Sequence, residues 1–78
     1  MQVFEEGVVR DLWCEMLGID AFDDASSFVE LGGTSIIAEQ LAARISDSIG
    51  VDISGLDVLH EECYAKFIDR LAAQMRAA

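Results

Sequence analysis

Residues 32–50 read GGTSIIAEQLAARISDSIG, and the fold turns on them. Within the stretch Ala38, Leu41, Ala42, Ile45 and Ile49 recur at the spacing of one face of an α-helix. Gly50 stands just past the last periodic residue, where a glycine ends a helix. The spacing therefore predicts a helix over about 35–49 with these five residues on its core face. At about 100° of rotation per residue, Ile36 falls nearly opposite that face and Ile37 near its edge. Gln40, Ala43 and Arg44 share the outer side, with Asp47 farther along it. Ile36, Ile37, Gln40 and Arg44 thus form a candidate docking face beside Ser35. The competing reading packs Ile36 beneath the preceding loop.

Toward the N-terminus, Val9, Leu12, Trp13 and Met16 recur at i, i+3, i+4 and i+7, which predicts a helix over 5–17 stopped by Gly18. Residues 18–34 hold no sustained period and read as a long loop, pinned to the core by Phe22, Phe28, Val29 and Leu31. Toward the C-terminus, 51–62 read as an extended connection, a break at Gly55, and one or two helical turns around Leu56, Val58 and Leu59. Tyr64, Phe67, Ile68, Leu71 and Met75 then predict a last helix over about 63–75. Val51-Asp52-Ile53 is the one strand-like stretch, and it is too short to change the class. Three long helices and a short one make an all-α bundle. Without proline, repeats or a linker-like segment, residues 1–78 are expected to form a single domain.

Charge narrows the function classes. Fifteen acidic against five basic residues give a net charge of −10, which argues against nucleic-acid phosphates and anionic lipid heads as partners. Partners should present basic surfaces. No apolar run approaches the roughly 18 residues of a membrane span, and the first residues lack the features of a signal peptide, so a cytoplasmic location is expected. Cys14 and Cys63 match neither a zinc spacing nor a CxxC pair and are expected to be reduced thiols. His60 is the single histidine and has no metal-ligand partners in sequence. Asp20, Asp23 and Asp24 lack the spacing of a calcium loop. No metal site and no catalytic constellation is expected.

Chemistry gathers instead at residues 32–35. A helix N-terminus offers unpaired N–H groups and a partial positive charge, so an anion attached at Ser35 would be stabilised there. Gly32 and Gly33 leave room for close backbone access and tolerate a tight turn. Two capping arrangements remain open from local physics. Either Ser35 caps the helix and Thr34 is incidental, or Thr34 caps it and leaves the Ser35 hydroxyl free to project. Neither is decided by a capping box, because Ile37 and Ala38 stand three residues on.

Three blocks carry a family resemblance: LWCEMLGI at 12–19, FVELGGTSI at 28–36 and AEQLAARI at 38–45. The second is similar to the F-F-x-L-G-G-[HD]-S-[LI] motif of phosphopantetheine-dependent carrier proteins. Across nearly its whole length the chain most resembles the peptidyl, or thiolation, carriers of nonribosomal peptide synthetases, within the acyl carrier superfamily. That resemblance implies a four-helix bundle of acyl-carrier type with a long loop between its first two helices. It implies that Ser35, flanked by Gly33 and Thr34, accepts 4′-phosphopantetheine from coenzyme A through a separate magnesium-using phosphopantetheinyl transferase. The arm's thiol would hold an acyl or aminoacyl group as a thioester. The chain would then be a monomeric carrier and not an enzyme. Its partners would be an adenylation or other acyl-activating enzyme and condensing, modifying or thioesterase enzymes. Alternatives are a helical interaction module without a prosthetic group and, within the family, a fatty-acid or polyketide acyl carrier. Two positions depart from the family pattern. Thr34 stands where histidine or aspartate is usual, and Glu62-Cys63 stand where proline and threonine are often found before the last helix.

Overall fold

A computed structural model describes residues 6–77. It has four helices in chain order, α1 (Glu6–Leu17), α2 (Ser35–Ile49), α3 (Gly55–Leu59) and α4 (Tyr64–Ala77), and no strand among the described residues. The all-α, four-helix reading is borne out, including the long α1–α2 loop. The last helix starts one residue later than its periodicity predicts and runs two residues farther. Residue 5, the predicted start of the first helix, lies outside the described residues.

Each long helix buries the stripe its spacing predicts. Val9 and Trp13 of α1, Ala38, Leu41, Ala42 and Ile45 of α2, and Tyr64, Phe67 and Leu71 of α4 are buried together. Leu12, Met16, Ile49, Ile68 and Met75, also expected on these stripes, lie at the margin, partly buried against this core. Trp13 is the hub: its ring centroid lies 5.4 Å from Phe22, 5.2 Å from Phe28, 4.9 Å from Tyr64 and 5.6 Å from Phe67. Edge-to-face geometry in the Phe28 and Tyr64 pairs suits the ring quadrupoles and adds to the area these side chains bury. The indole N–H of Trp13 has no hydrogen-bond partner among the described residues.

One loop residue behaves differently from its sequence reading. Val29, expected to pin the loop, is exposed, whereas Phe28 is completely buried and Phe22 and Leu31 partly so. Consecutive residues of this turn cannot all face inward, and Phe28 occupies the inward position. The extended connection expected before Gly55 is borne out without a strand, and it also brings Val51 and Ile53 into the core.

Local chemistry ends the helices where they end. Gly18 adopts a left-handed φ of 69°, and the N–H groups of Gly18 and Ile19 donate to the carbonyls of Glu15 and Cys14, satisfying the last turn of α1. Gly50, at φ 73°, donates its N–H to Ser46 and closes α2. At the head of α3 the Asp57 carboxylate accepts from the N–H of Ser54. Gly55 approaches α2 so closely that a Cβ there would stand 2.9 Å from the backbone nitrogen of Glu39, and its N–H donates to the Glu39 carboxylate. The first N–H groups of α4, on Tyr64 and Ala65, donate to the carbonyls of Ser26 and Asp24 in the long loop. That loop thereby serves the α3–α4 junction, where the proline and threonine of the family pattern are missing. No described helix is long and apolar enough to cross a membrane.

Candidate functional site

The segment before Ser35 is a compact turn with its own hydrogen bonds. Ser27 and Glu30 cap it reciprocally: the N–H of Ser27 donates to the Glu30 carboxylate at 2.8 Å, and the N–H of Glu30 donates to the Ser27 hydroxyl at 3.1 Å. Leu31, Gly32 and Gly33 then donate their N–H groups to the carbonyls of Ser27, Val29 and Phe28. Gly32 has φ 94°, a conformation that favours glycine. Gly33 answers a different need, because a Cβ there would overlap the Phe28 ring. The absent side chain makes room for Phe28 and not only for a partner. The Ser-x-x-Glu spacing at 27–30 is a readable capping signature that the periodicity reading of this loop passes over.

Thr34 resolves the open choice of cap. It takes an extended conformation, φ −118° and ψ 169°, and its hydroxyl oxygen accepts from the N–H of Ile37 at 3.3 Å while its carbonyl accepts from Ala38 at 2.8 Å. Ser35 is therefore the first helical residue. It is exposed, and its hydroxyl enters no hydrogen bond among the described residues. No acidic side chain stands in the first turn of α2, so the positive end of the helix dipole is uncompensated there. One residue before, one at, and one after this position, the surface shows Thr34, Ser35 and Ile36, all exposed.

The four docking candidates divide. Ile36 is 71% exposed and Gln40 is exposed one turn on, so these two flank Ser35 on an open surface. Ile37 is half-buried and packs against the core, which ties it to stability. Arg44 lies about 13 Å farther along the helix axis than Ser35 at 1.5 Å per residue, and its guanidinium pairs with Glu15 of α1 at 3.1 Å. Leu56 of α3, one of the apolar cluster around residues 56–59, is 58% exposed and offers additional apolar surface.

The remaining candidates sit elsewhere. Cys14 and Cys63 are free and half-buried, and the carbonyl of Cys63 accepts from Phe67 at the head of α4. His60 ends α3 on an exposed turn. Asp23 accepts from the N–H of Ala25 and Asp24 pairs with Arg10, so both carboxylates serve the loop.

Four helices that hold one uncommitted hydroxyl at an exposed helix head, with the cap supplied by its neighbour, define a carrier-type domain. The chain belongs to the family described as PP-binding, phosphopantetheine attachment site, which it matches over residues 7–71. The cofactor of that family is 4′-phosphopantetheine. One component protein of the plipastatin synthase of Bacillus subtilis is 38% identical over 71 residues, which are 91% of this chain and 2% of that protein. Nonribosomal peptide synthetase agiA of Aspergillus flavus is 32% identical over 69 residues, 88% of this chain and 1% of that protein. The chain thus spans only 1–2% of the length of these relatives. In three dimensions it is similar, with a TM-score of 0.80 and 28% identity, to a chain of the non-covalent extended docking domain complex of the Pax NRPS, PaxA T1-CDD/PaxB NDD, covering 92% of this chain and 69% of that one. The resemblance to a thiolation carrier is borne out by all three comparisons. The residues at the head of α2 also fit the group: a free hydroxyl, an unopposed helix dipole and a backbone unobstructed at Gly32 all suit a phosphodiester.

Proposed function

We propose that this chain is a thiolation carrier acting in nonribosomal peptide assembly, with Ser35 as the residue that bears the arm. The observation that carries the proposal is the division of labour between neighbours: Thr34 caps α2, so Ser35 is free to be modified without loss of the cap. When bound, 4′-phosphopantetheine supplies a thiol that holds acyl or aminoacyl cargo as a thioester. In the transfer the Ser35 oxygen forms the phosphodiester as the pyrophosphate bond of coenzyme A breaks, adenosine 3′,5′-bisphosphate leaves, and the hydroxyl gives up its proton. The N-terminal turn of α2 stabilises the phosphate charge through its dipole. Among the described residues the Ser35 hydroxyl has no hydrogen-bonded base to activate it, which fits a substrate protein whose catalysis is supplied by partners.

Those partners are a phosphopantetheinyl transferase, an activating adenylation enzyme, and condensing, modifying or thioesterase enzymes. Ile36 and Gln40 are the surface they would meet first around the arm. A nonribosomal peptide synthetase among the relatives supports aminoacyl or peptidyl cargo over a fatty-acid or polyketide chain. A cytoplasmic monomer is part of this reading.

Incubation of the apo-protein with coenzyme A, magnesium and a broad-specificity transferase is expected to add the mass of one phosphopantetheine, and Ser35→Ala is expected to abolish the gain. A gain that survives Ser35→Ala contradicts the assignment.

A further inference from the structure

Helix α1 sends one side chain into the long loop that carrier function, as described so far, leaves unused. The Arg10 guanidinium donates to the Asp24 carboxylate at 2.5 Å, to the Phe22 carbonyl at 3.5 Å and to Glu6 at 3.3 Å. It also lies 5.0 Å from the centroid of the Phe22 ring and 4.7 Å from that of Tyr64. From the other side, the backbone of α4 holds the same loop through the carbonyls of Ser26 and Asp24, and the Tyr64 hydroxyl donates to the Glu6 carboxylate that Arg10 shares. Residues 22–26 are thus fixed between two helices, with Arg10 at the centre.

The modification site depends on that fixture. Every hydrogen bond of the 27–33 turn among the described residues is internal to the turn. Its placement is set by the buried Phe28 and the partly buried Leu31, by α2 at one end, and by the anchored 22–26 segment at the other. We infer that Arg10 is a positioning residue for modification of Ser35, acting through Phe22 and Asp24 to fix where the Gly33–Ser35 corner stands. The role calls for arginine, because a planar fork reaches a carboxylate and a carbonyl together while its face packs on aromatic rings, and an ammonium does neither at once. This rests on Ser35 being the attachment residue.

The test compares wild type, Arg10→Met and Asp24→Asn as apo-proteins in transferase-catalysed loading at saturating coenzyme A, with carrier concentration varied. Arg10→Met keeps an apolar stem against the rings. Asp24→Asn removes the charge at an exposed carboxylate, where the cost to folding is small. Displacement of a reacting group by residues outside the chemistry costs up to about 100-fold, and an intermediate loss of about tenfold in kcat is expected for Arg10→Met, with a smaller loss for Asp24→Asn and little change in KM for the carrier. Amide exchange is expected to quicken at Leu31, Gly32, Gly33, Tyr64 and Ala65 while Leu41–Ile45 stays protected. A merely structural role would lower the amount of loadable protein and leave kcat of the folded fraction unchanged. If wild type loads and both variants match its kcat, the inference is overturned alone. If wild type gains no arm at Ser35, the attachment reading is overturned and the inference with it.

Discussion

Ser35 and its two predecessors divide three tasks that the sequence places in one run. Gly33 yields space to Phe28, Thr34 caps α2, and Ser35 keeps its hydroxyl free. The capping choice is open in the sequence because serine and threonine are both favoured caps, and the extended dihedrals of Thr34 with the bond its hydroxyl accepts from Ile37 decide it. The role of Gly33 is hidden for another reason. A ring five residues earlier fills the space, and no local pattern encodes that contact. Gly33→Ala is therefore expected to cost about 1–3 kcal/mol by forcing Phe28 out of place. Urea unfolding followed by the fluorescence of Trp13, the single tryptophan and a direct neighbour of Phe28, measures it. An unchanged midpoint contradicts the packing role.

The helices are legible because their apolar stripes repeat, and their ends are legible where glycine marks them, at Gly18 and Gly50. The start of α4 is not, since its donors are satisfied by carbonyls 38 and 41 residues earlier in the chain, at Ser26 and Asp24. Junction chemistry of that kind is tertiary and leaves no local signature. Tyr64 is the side chain that locks the junction to α1. Burial, together with the hydrogen bond to Glu6, pushes its phenol well above its ordinary range. Above about pH 10 an unfolded tyrosine loses its proton while the folded one keeps it, so the unfolded state binds fewer protons and stability falls as pH rises. Tyr64→Phe is expected to lose about 1–2 kcal/mol near neutral pH, and the gap from wild type is expected to hold up to about pH 9 and to narrow as the pH rises past about 10. Urea titrations followed by circular dichroism measure both. A gap that stays constant with pH contradicts the account of Tyr64.

For the molecule as a whole, the balance of charge is readable in the sequence but its arrangement is not. Four of the five basic side chains, Arg10, Arg44, Lys66 and Arg70, are paired with acids of this chain, and most of the fifteen carboxylates have no basic side chain left to pair with. The candidate docking face is partly legible: angular position identifies Ile36 as exposed and sets Ile37 at the edge of the core face, where it is half-buried against the core and cannot serve docking alone. Ile36→Glu is therefore expected to leave stability within about 0.5 kcal/mol of wild type while lowering the rate of arm transfer or of cargo loading by about tenfold, the loss typical of one buried contact at an interface. Melting temperature and loading kinetics measured side by side decide this, and wild-type kinetics in the variant would remove Ile36 from the docking surface.

The central claim is that Thr34 caps and Ser35 reacts. Fragmentation mass spectrometry of the transferase-treated protein locates the arm by residue. The account predicts phosphopantetheine on Ser35 alone, with Thr34 and Ser27 unmodified; an arm on Thr34, or on any residue outside the head of α2, contradicts it.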